Sequence, residues 1–106
     1  MTNTSYMLTI VDDYTRATWI YLMRYKAETV INVRDFLRMV EVQFGVKVKQ
    51  IRTDNGGEFV NKEMEMLLND NGIIHQRTCS YTPQQNGVVE RKHRSILEVA
   101  RSLAFQ

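Results

Sequence analysis

The chain has 106 residues, 43% of them hydrophobic, which suits one domain with one core rather than two. Fourteen basic residues against twelve acidic give a net charge of +2, so bulk charge does not mark a nucleic-acid binder, and any such role must come from where the charges sit. Cys79 is the only cysteine, which excludes an internal disulfide and a cysteine-based zinc cluster and fits a reducing compartment; His75 and His93 lack the companions a zinc site needs. No apolar run approaches the roughly 20 residues that cross a bilayer, and residues 1–5 carry no basic segment leading into an apolar one, so nothing marks a secreted or membrane protein.

In chain order, Tyr6-Met7-Leu8-Thr9-Ile10-Val11 is apolar and partly β-branched, and Thr18-Trp19-Ile20-Tyr21-Leu22-Met23 repeats that pattern after a polar turn. These are predicted to be antiparallel strands. The period then changes: Val30, Val33, Leu37, Val40 and Phe44, with Phe36 beside them, form one stripe on a helix over 27–44 that Gly45 stops. Val46-Lys47-Val48-Lys49-Gln50-Ile51-Arg52-Thr53 alternates as a third strand before the Asn55-Gly56-Gly57 breaker, which places Asp54 at the strand's mouth. Asn61 is a plausible N-cap for a helix carrying Met64, Leu67 and Leu68, and Ile73-Ile74-His75-Gln76 is a short fourth strand. Residues 77–86 are polar and contain the single proline, Pro83, as expected of a mobile loop over a site. From Gly87 onward Val89, Ile96, Leu97, Ala100 and Leu103 recur at helical spacing, with Arg91, Lys92, Arg94 and Arg101 largely off that stripe. The order β-β-α-β-α-β-α indicates a mixed α/β sheet covered by helices.

Two acids stand out within this pattern. Asp54 ends a strand and Glu90 opens a helix that turns basic at once, and 35 residues lie between them. Alone, Asp54 is equally a turn former in Asp-Asn-Gly-Gly, and Glu90 is more often a partner of the helix dipole than a ligand. Together, two carboxylates from a strand end and a helix start can hold a hard divalent cation such as Mg²⁺. Such a site suits phosphoryl transfer, in which one ion activates the attacking oxygen and another stabilises the leaving oxygen. Gln85 and Asn86 can hydrogen-bond phosphates, sugars or bases from the loop, and Arg91, Lys92 and Arg94 are either a solvated face or a DNA-backbone contact.

Three segments carry a resemblance: Ile10-Val11-Asp12-Asp13-Tyr14-Thr15-Arg16 followed by Trp19, then Arg52-Thr53-Asp54-Asn55-Gly56-Gly57-Glu58-Phe59, then Tyr81-Thr82-Pro83-Gln84-Gln85-Asn86-Gly87-Val88-Val89-Glu90-Arg91. In these the chain resembles the integrase catalytic core of retroviruses and long-terminal-repeat retrotransposons, specifically the copia type carried in retroelement polyproteins. The resemblance implies an RNase H-like fold, dependence on Mg²⁺ or Mn²⁺, DNA partners at element ends and target, a possible homo-oligomer, and DNA integration by 3′-end processing and strand transfer. It implies no membrane and no small-molecule substrate, and it places the work inside the cell, in the nucleus where DNA is the target.

In that family an Asp, Asp, Glu triad has 35 residues between its last two acids, so Asp54 matches the second and Glu90 the third. The first acid sits on a central strand upstream of 6–11, and this sequence starts too late to contain it. The expected fold is therefore one partial integrase catalytic domain over 1–106, lacking the central strand that would join two half-sheets. The isolated chain is expected to be inactive or severely impaired. Asp12 and Asp13 should lie at the far end of a strand antiparallel to the missing one, which points them away from Asp54 and Glu90. Two rival readings stand beside this one: a non-catalytic module that binds DNA or associates with itself, and a gene remnant that does not fold stably.

Overall fold

The computed structural model describes residues 4–78 and 96–105, which form a five-stranded mixed sheet and two helices. In chain order these are β1 (Thr4–Asp12), β2 (Thr18–Met23), α1 (Glu28–Phe44), β3 (Gln50–Thr53), α2 (Lys62–Asp70), β4 (Ile74–Arg77) and β5 (Ile96–Phe105). The sheet order is β2-β1-β5-β3-β4.

The first six elements follow the local signals in the sequence, except that the strand expected over 46–53 begins only at Gln50. β1 and β2 are antiparallel, pairing Ile10 with Trp19 and Leu8 with Tyr21, and the turn between them is closed by Asp12 and by Arg16 at φ 66°. At the start of α1, Ala27 offers no side-chain cap, and Glu28 instead accepts the amides of Arg24 and Tyr25 at 2.9 and 2.7 Å. Gly45 ends that helix at φ 64°, a left-handed conformation that glycine adopts without steric cost. Asn61 caps α2 by accepting the amide of Met64 at 2.8 Å. The expected α1 stripe is corrected at its end, because Phe44 is exposed while Phe36 is fully buried, meeting Trp19 edge-on at 4.9 Å between ring centroids.

The seventh element differs from expectation. Residues 96–105, read from their spacing as the continuation of a helix, form the strand β5, while 87–95 lie outside the described residues. β5 fills the middle of the sheet, antiparallel to β1 (Val99 opposite Ile10, Arg101 opposite Leu8) and parallel to β3 (Ile51 opposite Leu97, Arg52 opposite Glu98). The two half-sheets expected to lack a shared partner are thus joined by the chain's own C-terminal segment. The physical reason is long-range pairing. Flanking β1 and β3 each present a row of unpaired backbone groups, and a ten-residue strand that satisfies both outweighs the few tenths of a kcal/mol per residue by which helix propensity favours the alternative.

On the helix-covered face, Leu8, Ile10, Ile51, Leu97 and Val99 join Val33, Phe36 and Val40 of α1 and Met64 and Leu68 of α2 in one core. Leu97 and Val99 come from β5, so the strand contributes to that core as well as to the ladder.

Candidate metal site at the end of strand three

Thr53 and Asp54 mark the point where β3 leaves the sheet. Thr53 is buried, and its hydroxyl donates to the Asp54 carbonyl at 2.8 Å. With that proton committed, His75 Nε2 at 2.8 Å from the same oxygen is the donor to it. The chain from His75 through Thr53 to Asp54 fixes the backbone that carries the acid. Burial and the Arg77 charge hold the His75 ring below its ordinary value, against the weaker pull of Glu65, which keeps the ring neutral in this role.

The Asp54 carboxylate itself is exposed, and its Oδ1 accepts the Gly56 amide at 2.8 Å. Gly56 is required here by space. A Cβ on it would stand 2.8 Å from both carboxylate oxygens of Glu58 and 3.0 Å from Oδ1 of Asp54, so the two acids face each other across a bare backbone. Asn61 closes the turn from below, its amide donating to the carbonyls of Gly57 and Glu58 at 2.9 and 3.0 Å.

Glu58 belonged to the quoted motif but was not singled out as a site residue. Its side chain is only 3% exposed and meets Arg101 of β5, whose Nε donates to Oε2 at 2.6 Å. Burial works to raise the Glu58 carboxyl, yet the Arg101 hydrogen bond and charge, the residue's own amide and Lys26 together hold it below the ordinary glutamate range. Glu58 and Asp54 in turn stabilise the Arg101 charge, and the guanidinium lies 5.4 Å from the centre of the Tyr6 ring. A helix reading had put Arg101 off the apolar stripe; as a strand residue opposite Leu8 it points into the same mouth as Asp54.

The other acids of interest are elsewhere. Asp12 spends both carboxylate oxygens on its own turn, accepting Tyr14 N and Thr15 Oγ1 at 3.0 Å each. Asp13 pairs with Arg16 at 3.3 Å and shares a hydrogen bond with Glu98; burial and that contact raise the Glu98 carboxyl, with Arg52 at 3.3 Å opposing. This group sits where β5 begins, whereas Arg101 and Asp54 sit toward the opposite end of the sheet. Glu90, Gln85, Asn86, Arg91, Lys92 and Arg94 all lie outside the described residues, as does the expected loop from residue 79 onward.

The exposed Asp54 carboxylate is a hard oxygen donor of the kind that Mg²⁺ or Mn²⁺ takes, whereas the Glu58 carboxylate is already paired with Arg101. Among the described residues no group of three or more His, Cys, Asp or Glu side chains gathers.

Comparison with known proteins bears on the family and the fold. The family model described as "Integrase core domain" matches residues 1–83. The chain is 39% identical over 103 residues to the retrovirus-related Pol polyprotein from transposon TNT 1-94 of Nicotiana tabacum, which covers 97% of this chain and 8% of that protein. It is 37% identical over 101 residues to the corresponding polyprotein from transposon RE2 of Arabidopsis thaliana, covering 95% of this chain and 7% of the relative. The chain thus spans less than a tenth of the length of these curated relatives. Among solved structures, the catalytic core domain of BIV integrase superposes with a TM-score of 0.56 at 26% identity, over 85% of this chain and 57% of that one. A chain of the simian T-cell lymphotropic virus intasome, solved in complex with PP2A regulatory subunit B56 gamma, gives 0.55 at 25% identity, over 82% and 31%. With its mixed sheet, its acid at the end of β3 and these matches over most of its length, the chain belongs to the integrase core domain family.

Proposed function

We propose that this chain serves DNA integration by divalent-metal-dependent polynucleotidyl transfer, as part of a retrotransposon polyprotein. The observation that carries the reading is the exposed Asp54 carboxylate at the C-terminal end of β3, which accepts the Gly56 amide while the Thr53 and His75 hydrogen bonds hold the backbone that carries it. Asp54 and Glu90 are the metal ligands of this reading. Gln85 and Asn86 contact DNA, while Arg91, Lys92 and Arg94 attract its phosphates.

Bound at the carboxylates, Mg²⁺ or Mn²⁺ would supply the positive charge that stabilises oxygens at a reacting phosphate. The chain's own residues do the rest. His75 and Thr53 keep the Asp54 backbone in register with the sheet, Gly56 keeps the space between the acids clear, and Asn61 holds Glu58 in its turn. Assembly of several copies on DNA in the nucleus is part of the same proposal. It is supported by the intasome among the similar structures.

The described arrangement also favours a resting, non-catalytic form of the isolated chain, because Arg101 occupies the space beside both acids. The test is Mn²⁺ binding by calorimetry together with DNA binding across a salt series. Asp54→Asn should abolish the metal heat, and Arg91→Gln should reduce the salt slope of DNA binding by about 1. Metal binding unchanged in Asp54→Asn, or DNA binding indifferent to salt, would overturn the reading.

A further inference from the structure

The outer edge of β2 is shaped to pair with itself. We infer that two copies of this chain join antiparallel along residues 18–22, about a twofold axis at Ile20, and so continue one sheet through both. Nothing in this depends on Asp54 or on DNA.

The backbone pattern fixes which groups are free. β2 stands at one end of the sheet, with β1 its only neighbour among the described residues. The Asp12 amide donates to the Ala17 carbonyl at 2.8 Å, and the Asp13 amide donates to the Ile96 carbonyl at the head of β5 at 3.0 Å. Even residues of β1 therefore turn their backbone groups toward β2, and odd ones toward β5. Because Ile10 pairs with Trp19 and Leu8 with Tyr21, the odd residues of β2 face β1, and the N–H and C=O groups of Thr18, Ile20 and Leu22 point outward. The chain itself stops this row at both ends. The Arg24 amide, next in the outward series, donates to Glu28 Oε2 at 2.9 Å, and the Arg16 carbonyl accepts the Thr18 hydroxyl at 3.3 Å.

Three donors and three acceptors remain, and they select the partner. Turned about an axis at Ile20, the row meets itself: Ile20 lies opposite the partner's Ile20 and Thr18 opposite the partner's Leu22, so every one of these groups is satisfied. Registers centred on Trp19 or Tyr21 would set Leu22 against the partner's Arg16, or Thr18 against the partner's Arg24, where a backbone group is already taken. The side chains agree. Thr18–Met23 contains no charge and no proline, the residues that commonly keep sheet edges apart. Trp19 and Tyr21 pack on Phe36 on the helix-covered face, which leaves Ile20 and Leu22 on the other face, 57% and 64% exposed. Pairing gathers them into one apolar stripe across the axis. The opposite edge strand, β4, is four residues long and carries Arg77. One strand pair is small beside the roughly 1,200–2,000 Å² of a standard stable interface, so the dimer forms and dissociates with concentration.

The experiment is sedimentation velocity of the full chain over a concentration series, with amide hydrogen exchange at its two ends. Exchange at Thr18, Ile20 and Leu22 should slow as concentration rises, while Trp19 and Tyr21, whose amides already face β1, keep their rates. Ile20→Lys sets two like charges face to face at the axis and should weaken association roughly tenfold or more. Ile20→Pro deletes an outward N–H and no bond within the sheet, so association should also weaken while far-UV circular dichroism holds. Ile74→Lys, on the β4 edge, should associate as the wild type does. A chain that stays monomeric up to about 1 mM, as expected if this edge takes an extended peptide of another protein instead, overturns the inference. A dimer in which those three amides do not slow, or one that Ile20→Lys leaves intact, overturns it as well.

Discussion

Replacing Arg101 with Met removes a charge but little volume, and it isolates the energetic weight of the Arg101–Glu58 pair. The Glu58 side chain is 3% exposed and that of Arg101 is 23%, with 2.6 Å between Nε and Oε2. Loss of one member leaves a buried carboxylate without compensation, at a cost of about 3–5 kcal/mol. A domain of this size has total stability on the order of 5–15 kcal/mol, so a large part of it is at stake. In urea unfolding followed by circular dichroism, the midpoint should fall by roughly 1–3 M at neutral pH. The pH dependence supplies an internal check. With Arg101 present, the folded Glu58 carboxyl lies below its unfolded value; it contributes stability above the ordinary glutamate range that is lost as pH falls through the depressed folded value. Without Arg101, burial acts on Glu58 against only its own amide and the Lys26 charge, so the carboxyl rises from its wild-type position and acidification costs the variant less than it costs the wild type. The gap between them should therefore close in acid. A stability for Arg101→Met within about 0.5 kcal/mol of wild type at neutral pH would refute the reasoning and the placement of β5 on which it stands.

Other substitutions probe the surroundings of the site. Gly56→Ala should destabilise the 54–58 turn by about 1–3 kcal/mol because its Cβ meets the Glu58 carboxylate at 2.8 Å, whereas Gly57→Ala, with nothing within 4 Å, should fall within about 0.5 kcal/mol of wild type. Equal effects in thermal melts would contradict the close approach. Phe36→Ala should cost about 3–5 kcal/mol and expose Trp19 to solvent, seen as a red shift of its fluorescence; an unshifted spectrum would place Trp19 elsewhere. His75 is held neutral, its folded value below 6.5, so the fold should lose stability as pH drops below that point until the folded ring also protonates. His75→Gln should flatten that segment of the stability profile, and an unaltered slope would assign it to another group.

How far the sequence revealed the structure depends on whether the deciding signal was local. β2 runs over Thr18–Met23 as its apolar, partly β-branched run indicates, Gly45 ends α1 and Asn61 caps α2, because each of these rests on a handful of neighbouring residues. Asp54 at the mouth of β3 was legible for the same reason, the breaker Asn55-Gly56-Gly57 following the alternating run. β5 was not legible. Ile96, Leu97, Ala100 and Leu103 have helical spacing, and what makes the segment a strand is its fit between β1 and β3, a contact that no local window contains. The same misreading hid the partner of Glu58, since Arg101 on a helix flank reads as a solvated charge. Glu58 carried a weak signal of its own, an acid four residues after Asp54 across two glycines, but its burial becomes visible only once β5 is in place.

The assignment of Asp54 as the head of a divalent-cation site is tested most directly by mapping where Mn²⁺ lands. In a two-dimensional amide spectrum of the full chain, substoichiometric Mn²⁺ should broaden the resonances of residues 54–58 and of Arg101 first, leaving those of Asp12 and Asp13 at the far end of the sheet sharp. Broadening centred on the β1–β2 turn, or none at all near Asp54, would contradict the assignment.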